Sequence, residues 1–487
     1  MAISELVQTP LYIDGEERSS RETLAVHAPH DQSLVGHAAA ASAQDAEAAV
    51  AAAQRAWPAW AALSAAERVE RCLAALETLS ADLDARAEVL SRENGKTRFE
   101  ATIDLHVFVG RFHEAARYAR ELDTDETLAG PPYRTTIRHV PQGVVTIIYP
   151  FNWPLAILAA SLPHALMAGN TVIAKPPPTA PLSSVLTLRK VAALLPPGVL
   201  NVVTGQDAVI GPVLVGDPRV KHVCFTGSTA GGKRIMQMAS GSVTNVTLEL
   251  GGNDPAVLLD DVHLDEATIA RIGMATFMTT GQVCMAIKRL YVPRALYDQA
   301  VDGLRGFIEA QRIGSGLHPE VTMGPLNMSR QRDYVTELLA QARAGGSEVI
   351  EGGEYVDADP SVGNYMRLAL VLDPAAEERI VTEEQFGPAL PIIAYDSEEQ
   401  AIAAANDTWA GLCASVWSAD EERALRVGKQ LRAGHIFFNN HNATAVDERA
   451  MFGGFNQSGI GRELGREGVL GFTETQVLAM PDGEQQH

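Results

Sequence analysis

Between residues 45 and 120 the chain is alanine-rich, and Trp57, Trp60, Leu63, Val69, Cys72 and Leu76 recur at helical spacing. That pattern predicts successive helices with these side chains on the packed face. Past residue 140 the period changes. VVTIIYP, NTVIAKP, VLNVVTG, KHVCFTGS and NVTLELGG are short β-branched runs separated by helical stretches, and such alternation predicts a parallel sheet with crossover helices. The second half repeats the scheme with PAVLLDD, RLYVP, RLALVLD, LPIIAYD and HIFFNN, and with helices near 295–312, 327–344 and 397–405. A second α/β body follows. No low-complexity linker separates the halves, and Gly251-Gly252 after the strand LEL is the natural hinge.

Length and composition narrow the class. A chain of 487 residues with 46% apolar and 20% charged positions has room for two or three packed domains. With 39 basic against 60 acidic residues, the net charge of -21 works against binding nucleic acid or anionic lipid. Four cysteines, Cys72, Cys224, Cys284 and Cys413, form no CxxC pair and have no histidine spacing suited to zinc, so no metal site is expected and a reducing compartment fits best. The start MAISELVQTPLYIDGEERSS has no basic segment followed by an apolar stretch, and no run of about 18 apolar residues follows. A cytoplasmic protein without a membrane partner is the expectation.

Four segments carry candidate chemistry. In YPFNWPL a strand ends at Pro150 and a helix starts near Pro154, leaving Asn152 in the turn, where an amide can donate to an oxyanion. FTGSTAGGKRI reads as strand, glycine turn and helix, whose first amides can face a phosphate, although the GxGxxG spacing is missing. LELGG sets Glu249 at a strand end between leucines, where burial would raise its pKa toward that of a useful base. GQVCMAIKR places Cys284 after a glycine turn and beside a basic stretch. Each segment alone has an ordinary reading: turn asparagine, common α/β connection, surface-paired glutamate, buried apolar cysteine.

Together they do not. The order PFNWPL, KPPP, FTGST, LELGG, GQVC, EEQFGP and FGGFNQSGIGRELG resembles the aldehyde dehydrogenase superfamily, from LYIDGE nearly to the end of the chain. The resemblance implies an α/β fold with two Rossmann-like parallel α/β domains plus a small β oligomerisation element. The cofactor-binding domain would take 1–118 and 140–250, the oligomerisation arm 119–139 and the catalytic domain 251–440. Residues 441–469 would return to the cofactor domain and active-site rim, and 470–487 would form the oligomerisation strand.

By the same resemblance, Cys284 is the nucleophile that forms a thiohemiacetal with the aldehyde, its oxyanion held by the Asn152 side chain and the Cys284 N–H. Hydride leaves to a nicotinamide dinucleotide, and Glu249 activates the water that hydrolyses the thioester. Members that transfer the acyl group to coenzyme A usually lack this glutamate. Glu463 matches a proton-relaying glutamate, although the family's frequent lysine in the helix after the oxyanion motif is Ser161 here. Phe151, Lys175, Pro178, Gly205, Thr226, Gly227, Ser228, Gly251, Glu384 and Phe386 match the cofactor site. Within that set Lys175 would meet the adenosine ribose, Gly227 and Ser228 the pyrophosphate, and Glu384 and Phe386 the nicotinamide ribose and ring.

Departures from the family pattern bear on specificity. Many NAD-preferring relatives carry a ribose-binding glutamate where this chain has Pro178, so NAD and NADP both stand open. Met451, Asn456 and Gln476 also depart, away from the bond-making atoms. Residues resembling the aldehyde tunnel are Phe108, Arg111, Trp153, Ala156, Ala160, Met278, Val283, Met285 and Phe455, mostly apolar, which suggests an apolar or aromatic aldehyde. Arg111 could bind the carboxylate of a semialdehyde, though a solvated helix arginine is the better expectation. The remaining alternatives are an enzyme that transfers the acyl group to coenzyme A, which Glu249 disfavours, and a non-catalytic protein on the same fold. TETQVLAM and YRTTIRHV match strands that pair across subunits, so a homodimer or homotetramer is expected.

Overall fold

The computed structural model describes residues 6–130 and 133–481, so 1–5, 131–132 and 482–487 of the expected segments lie outside the described residues. The alanine-rich stretch forms the helices Ala43–Ala61, Ala65–Ala74, Leu83–Asn94 and Arg98–Ala119. Three of them start at a reciprocal cap written in the sequence: Ser42 with Asp45, Ser64 with Glu67 and Thr97 with Glu100. In each, the hydroxyl accepts the amide three residues on and the carboxylate accepts the cap's own N–H, satisfying two otherwise orphaned donors.

Two large sheets organise the rest. The first runs, strand by strand, as Gly459–Ile460, Asn245–Glu249, Val220–Thr226, Val144–Ile148, Thr171–Lys175, Leu200–Val202, Leu11–Ile13 and Glu16–Arg18. Its five central strands are parallel and its outer ones antiparallel. Because parallel strands end on the same side, Tyr149–Asn152, Lys175, Thr226–Ser228 and Glu249–Gly251 all emerge along one edge. That edge is where open α/β sheets bind ligands.

The second sheet has the order Glu348–Gly352, Leu368–Leu372, Ala389–Tyr395, Arg289–Pro293, Pro255–Leu258, Cys413–Trp417 and His435–Phe438, parallel except for its first strand. The helices expected in this half lie at Tyr297–Glu309, Ser329–Gly345 and Glu398–Asn406. Cys413–Trp417 was not among the strands read from the sequence. Its run CASVW is short and rich in small residues, and it is buried throughout, so periodicity cannot separate it from a buried helix. The N-terminal strands Val7–Thr9, Glu22–His27 and Leu34–Ala40, which form a sheet of their own, likewise lack a long apolar run.

Thr473–Pro481 pairs antiparallel with Tyr133–Pro141 over nine residues, and Glu126–Leu128 completes this third sheet. Leu128, Tyr133, Val477, Leu478 and Met480 are exposed on it. Among the described residues no helix is long and apolar enough to cross a membrane.

One buried ion pair sets the start of the helix Pro154–Met167, next to Asn152. Lys96 and Asp104 are fully buried, 2.9 Å apart, and Lys96 Nζ lies 3.9 Å above the Trp153 ring. The other Asp104 oxygen accepts the Ala156 N–H at 2.6 Å, in the helix's first turn. Asp104→Ala would strand a buried ammonium and a buried amide. The expected loss is about 3–5 kcal/mol of unfolding free energy, the usual result of breaking a buried pair from one side. A denaturant titration that finds a loss under about 1 kcal/mol would refute this account of how the turn is held.

Candidate active site

Cys284 follows a turn of unusual backbone. Thr279, Thr280 and Gly281 all have positive φ, at 52°, 56° and 72°. Two consecutive threonines in the left-handed region are strained, since a β-branched side chain crowds the carbonyl there. Surrounding groups hold them. The Glu100 carboxylate accepts the Thr279 N–H at 2.6 Å and its hydroxyl at 3.1 Å, and Thr280 donates to the Gly324 carbonyl at 2.8 Å. At Gly281 a Cβ would lie 2.3 Å from the Gly387 carbonyl oxygen, so only glycine fits. Gln282 closes the turn, donating to the Thr279 carbonyl and accepting the Asn327 N–H.

This loop meets the end of the strand Val144–Ile148. Asn152 is buried, and one of its amide hydrogens is held by the Gln282 carbonyl at 2.8 Å, which fixes the amide against the loop that carries Cys284. Glu249, at the end of its strand, is buried with Oε1 unpartnered and lines the same cleft as Cys284 and Asn152. Burial, and secondarily the charge of Glu463, raises its carboxyl well above the ordinary range, while Arg462 opposes the shift. Glu463 is itself raised by burial, offset by the hydroxyl of Ser161, which donates to it at 2.5 Å, and by Arg111. The residue found in place of the family's lysine therefore contacts the expected relay glutamate directly. Burial pushes the Cys284 thiol up to about 12; Lys288 opposes that shift, and Glu384, Asp254 and Glu249 add to it.

From these groups a cleft of about 1050 Å³ extends across the sheet edge. Phe151, Lys175, Pro178, Thr226, Gly227, Ser228, Gly251, Glu384 and Phe386 all line it, as the sequence implied. Gly205 does not. It is buried with Ile210 and Ala41 against its Cα, and so shapes the loop beneath the cleft. The lining suits a dinucleotide. Ser228 caps the helix Thr229–Ala239 and lines the cleft with Thr226 and Gly227, so that helix starts at the cleft wall, where its first amides could face a phosphate. At Gly251 a Cβ would lie 2.2 Å from a Glu384 oxygen, so the glycine makes room for that carboxylate. Phe151 and Phe386 meet edge to face at 6.3 Å. Pro178 supplies no charge, but Asp207 does: it forms an ion pair with Lys175 at 2.5 Å, and both line the cleft. Asp207 thus places beside Lys175 a negative charge that Pro178 cannot supply. Asp207 escaped sequence reading because it approaches from a different strand end.

Trp153, Ala156, Met278, Val283 and Ala286 pack as one apolar cluster with Ile103, Val107, Ile157 and Met285. Ala160 sits in a neighbouring cluster that Cys284 and Met285 touch. Two expectations are overturned. Phe108 is fully buried in the main helical core, its ring 5.2 Å from Phe112, so it backs the wall and does not line the tunnel. Arg111 is not solvated: its guanidinium pairs with Glu448 at 2.8 Å and donates to the Ala156 carbonyl at 2.6 Å. Phe455 is 41% exposed at the rim, under Arg462.

Lys288, which the sequence left in an undifferentiated basic stretch, is the other residue missed. It is buried within the nucleophile loop.

The family model described as the aldehyde dehydrogenase family matches residues 16–478. The betaine aldehyde dehydrogenase of Bacillus subtilis is 35% identical over 407 residues, 82% of each chain. The geranial dehydrogenase of Castellaniella defragrans is 36% identical over 356 residues, 73% of each. A crystal structure of betaine aldehyde dehydrogenase from Staphylococcus aureus with NAD+ superposes with a TM-score of 0.93 at 30% identity, covering 98% of this chain and 96% of that one. With the fold, the clustered side chains and these matches in agreement, the chain belongs to the aldehyde dehydrogenase family and is an NAD(P)-dependent enzyme of it.

Proposed function

We propose that the protein oxidises an apolar or aromatic aldehyde to its carboxylic acid by a hydrolytic cysteine mechanism. The observation that carries this reading is the convergence of Cys284, Asn152 and Glu249 on one cleft, with apolar clusters formed by the residues that flank the cysteine in sequence. The Cys284 thiolate adds to the aldehyde carbon, and the second Asn152 amide hydrogen stabilises the oxyanion that forms. A bound nicotinamide supplies the hydride acceptor. Glu249 takes a proton from the water that cleaves the thioester, and Glu463 with Ser161 carries protons onward. Residues Lys175, Thr226–Ser228, Gly251, Glu384, Phe151 and Phe386 hold the dinucleotide in this reading.

Two observations refine it. The committed Arg111 guanidinium disfavours a semialdehyde, because Glu448 already occupies the site a substrate carboxylate would need. An apolar substrate also agrees with the name of the Castellaniella relative. For the coenzyme, Asp207 favours NAD: its carboxylate can accept a ribose hydroxyl, whereas it would repel a 2′-phosphate and it neutralises Lys175. A subunit assembly through the sheet of Tyr133–Pro141 and Thr473–Pro481 is part of the proposal, supported by the apolar side chains exposed there.

Reduced cofactor is expected from octanal and benzaldehyde at kcat/KM at least about tenfold above succinic semialdehyde or betaine aldehyde, a difference of about 1.4 kcal/mol. Cys284→Ala abolishes it; turnover that survives would refute the nucleophile. Glu249→Gln keeps a single-turnover burst while the steady-state rate falls about 100-fold or more, the scale of a lost general base. In the wild type the hydrolytic rate rises with pH through an inflection above the ordinary carboxylate range, because Glu249 must lose its proton to act and burial holds that proton. An inflection at the usual carboxylate value would remove Glu249 from the role.

NAD should be preferred in both kcat/KM and fluorescence-titrated affinity. Asp207→Asn should raise the NADP to NAD ratio about tenfold. A wild-type preference for NADP would overturn the coenzyme assignment.

A further inference from the structure

Lys288 is the one cation buried inside the nucleophile loop, only 2% exposed. Its ammonium has three hydrogens to donate and meets three acceptors: the Val283 carbonyl at 2.9 Å, the Cys284 carbonyl at 2.8 Å and Glu384 Oε1 at 3.3 Å. The first two are the backbone on either side of the nucleophile's own peptide. The third is the carboxylate that faces the cleft and also accepts the Gly252 N–H at 3.3 Å. Lys288 is further anchored through its backbone N–H, which donates to the Asp254 carbonyl at 2.9 Å.

An ordinary structural role would be served by any donor at this point. What sets an ammonium apart is its charge. Desolvating a cation is costly, and the cost is offset only where counter-charge and acceptors are in place. Here the groups facing the thiol are otherwise of the wrong sign for a nucleophile: Glu384, Asp254 and Glu249 are all carboxylates, Cys413 packs beside Cys284 in the same apolar cluster, and burial disfavours the anion. Of the four charged groups among the described residues that chiefly act on Cys284, Lys288 is the one that favours the thiolate.

We propose that Lys288 is a positioning residue for the reaction, whose buried ammonium fixes the Cys284 loop against Glu384 and supplies the positive charge that the thiolate nucleophile requires. The inference rests on Cys284 being the nucleophile. It adds that thiol reactivity is set by the balance between Lys288 and Glu384, with opposite effects when either partner is neutralised. Opposite charges within a few ångströms shift a titration by about 1–3 pH units, whereas loss of a hydrogen bond alone would loosen the loop without a fixed sign.

The test is alkylation of Cys284 by iodoacetamide, without cofactor or aldehyde, followed by peptide mass spectrometry across about pH 6 to 10.5. Labelling of this peptide disappears in Cys284→Ala. Lys288→Gln keeps a donor but no charge, and its profile should move upward by about one unit or more, so that alkylation near pH 8 slows about tenfold. Lys288→Arg should restore the wild-type profile. Glu384→Gln should move the profile the other way and speed alkylation. A Lys288→Gln profile that coincides with the wild type overturns the proposal. If that variant does not fold, Glu384→Gln decides alone: faster alkylation sustains the proposal, and unchanged or slower alkylation overturns it. Alkylation reads the thiol without turnover, so a failure here is distinct from a failure of the hydrolytic mechanism, which Cys284→Ala turnover reports.

Discussion

A single buried carboxylate, Glu100, joins the helical layer to the nucleophile turn. One of its oxygens accepts the N–H and hydroxyl of Thr97, closing the cap of the helix Arg98–Ala119, and the other accepts the N–H and hydroxyl of Thr279. The strained Thr279-Thr280 backbone persists because this anchor over-determines it, together with Gly324, Gly387 and Asn327 on the far side. Everything downstream in the loop inherits the constraint. The Gln282 carbonyl orients Asn152, and the Val283 and Cys284 carbonyls receive Lys288. Asn152 and Cys284, the proposed oxyanion donor and nucleophile, are thus preorganised by backbone that could not relax without unmaking a helix cap.

The second constraint is electrostatic. Glu249, Glu384, Glu463 and Cys284 share a poorly solvated wall, and burial raises all four. What distinguishes them is which partner each meets. Glu463 receives a hydroxyl from Ser161, Glu384 receives an ammonium from Lys288, and Glu249 is left with an unpartnered oxygen. The unpartnered carboxylate is the one free to take a proton, while the paired ones are held in place. In the proposed mechanism these acidic groups take different roles because their neighbours differ.

Much of this was legible in the chain. The two periods, helical before residue 120 and β-branched alternation after 140, give the layers because core burial imposes them locally. Capping boxes mark three helix starts, since an N-cap needs only four adjacent residues. Asn152 and Glu249 stand out because parallel strands must deliver their ends to a common edge, and each lies just beyond or at such an end, whereas Cys284 lies in the loop before the strand Arg289–Pro293 and is marked by its motif alone. Short strands such as Cys413–Trp417 escaped, because a run of five residues buried throughout has no period to read.

The amino-acid sequence by itself determined the order of elements, the edge at which they converge and the residue types able to carry an aldehyde oxidation. Only the tertiary structure decided how those side chains are partnered. Arg111 looked free until Glu448, 337 positions away, was brought against it. Phe108 looked like tunnel lining until its helix face turned into the core. Pro178 left the cleft without a carboxylate beside Lys175 until Asp207, at the start of the helix Asp207–Gly216, was brought against it. Lys288 was one of several basic residues until folding buried it between the nucleophile and Glu384. The physical reason is common to all four: periodicity and capping are local, while the partner of a charged or apolar side chain is chosen by chain segments that only packing brings together.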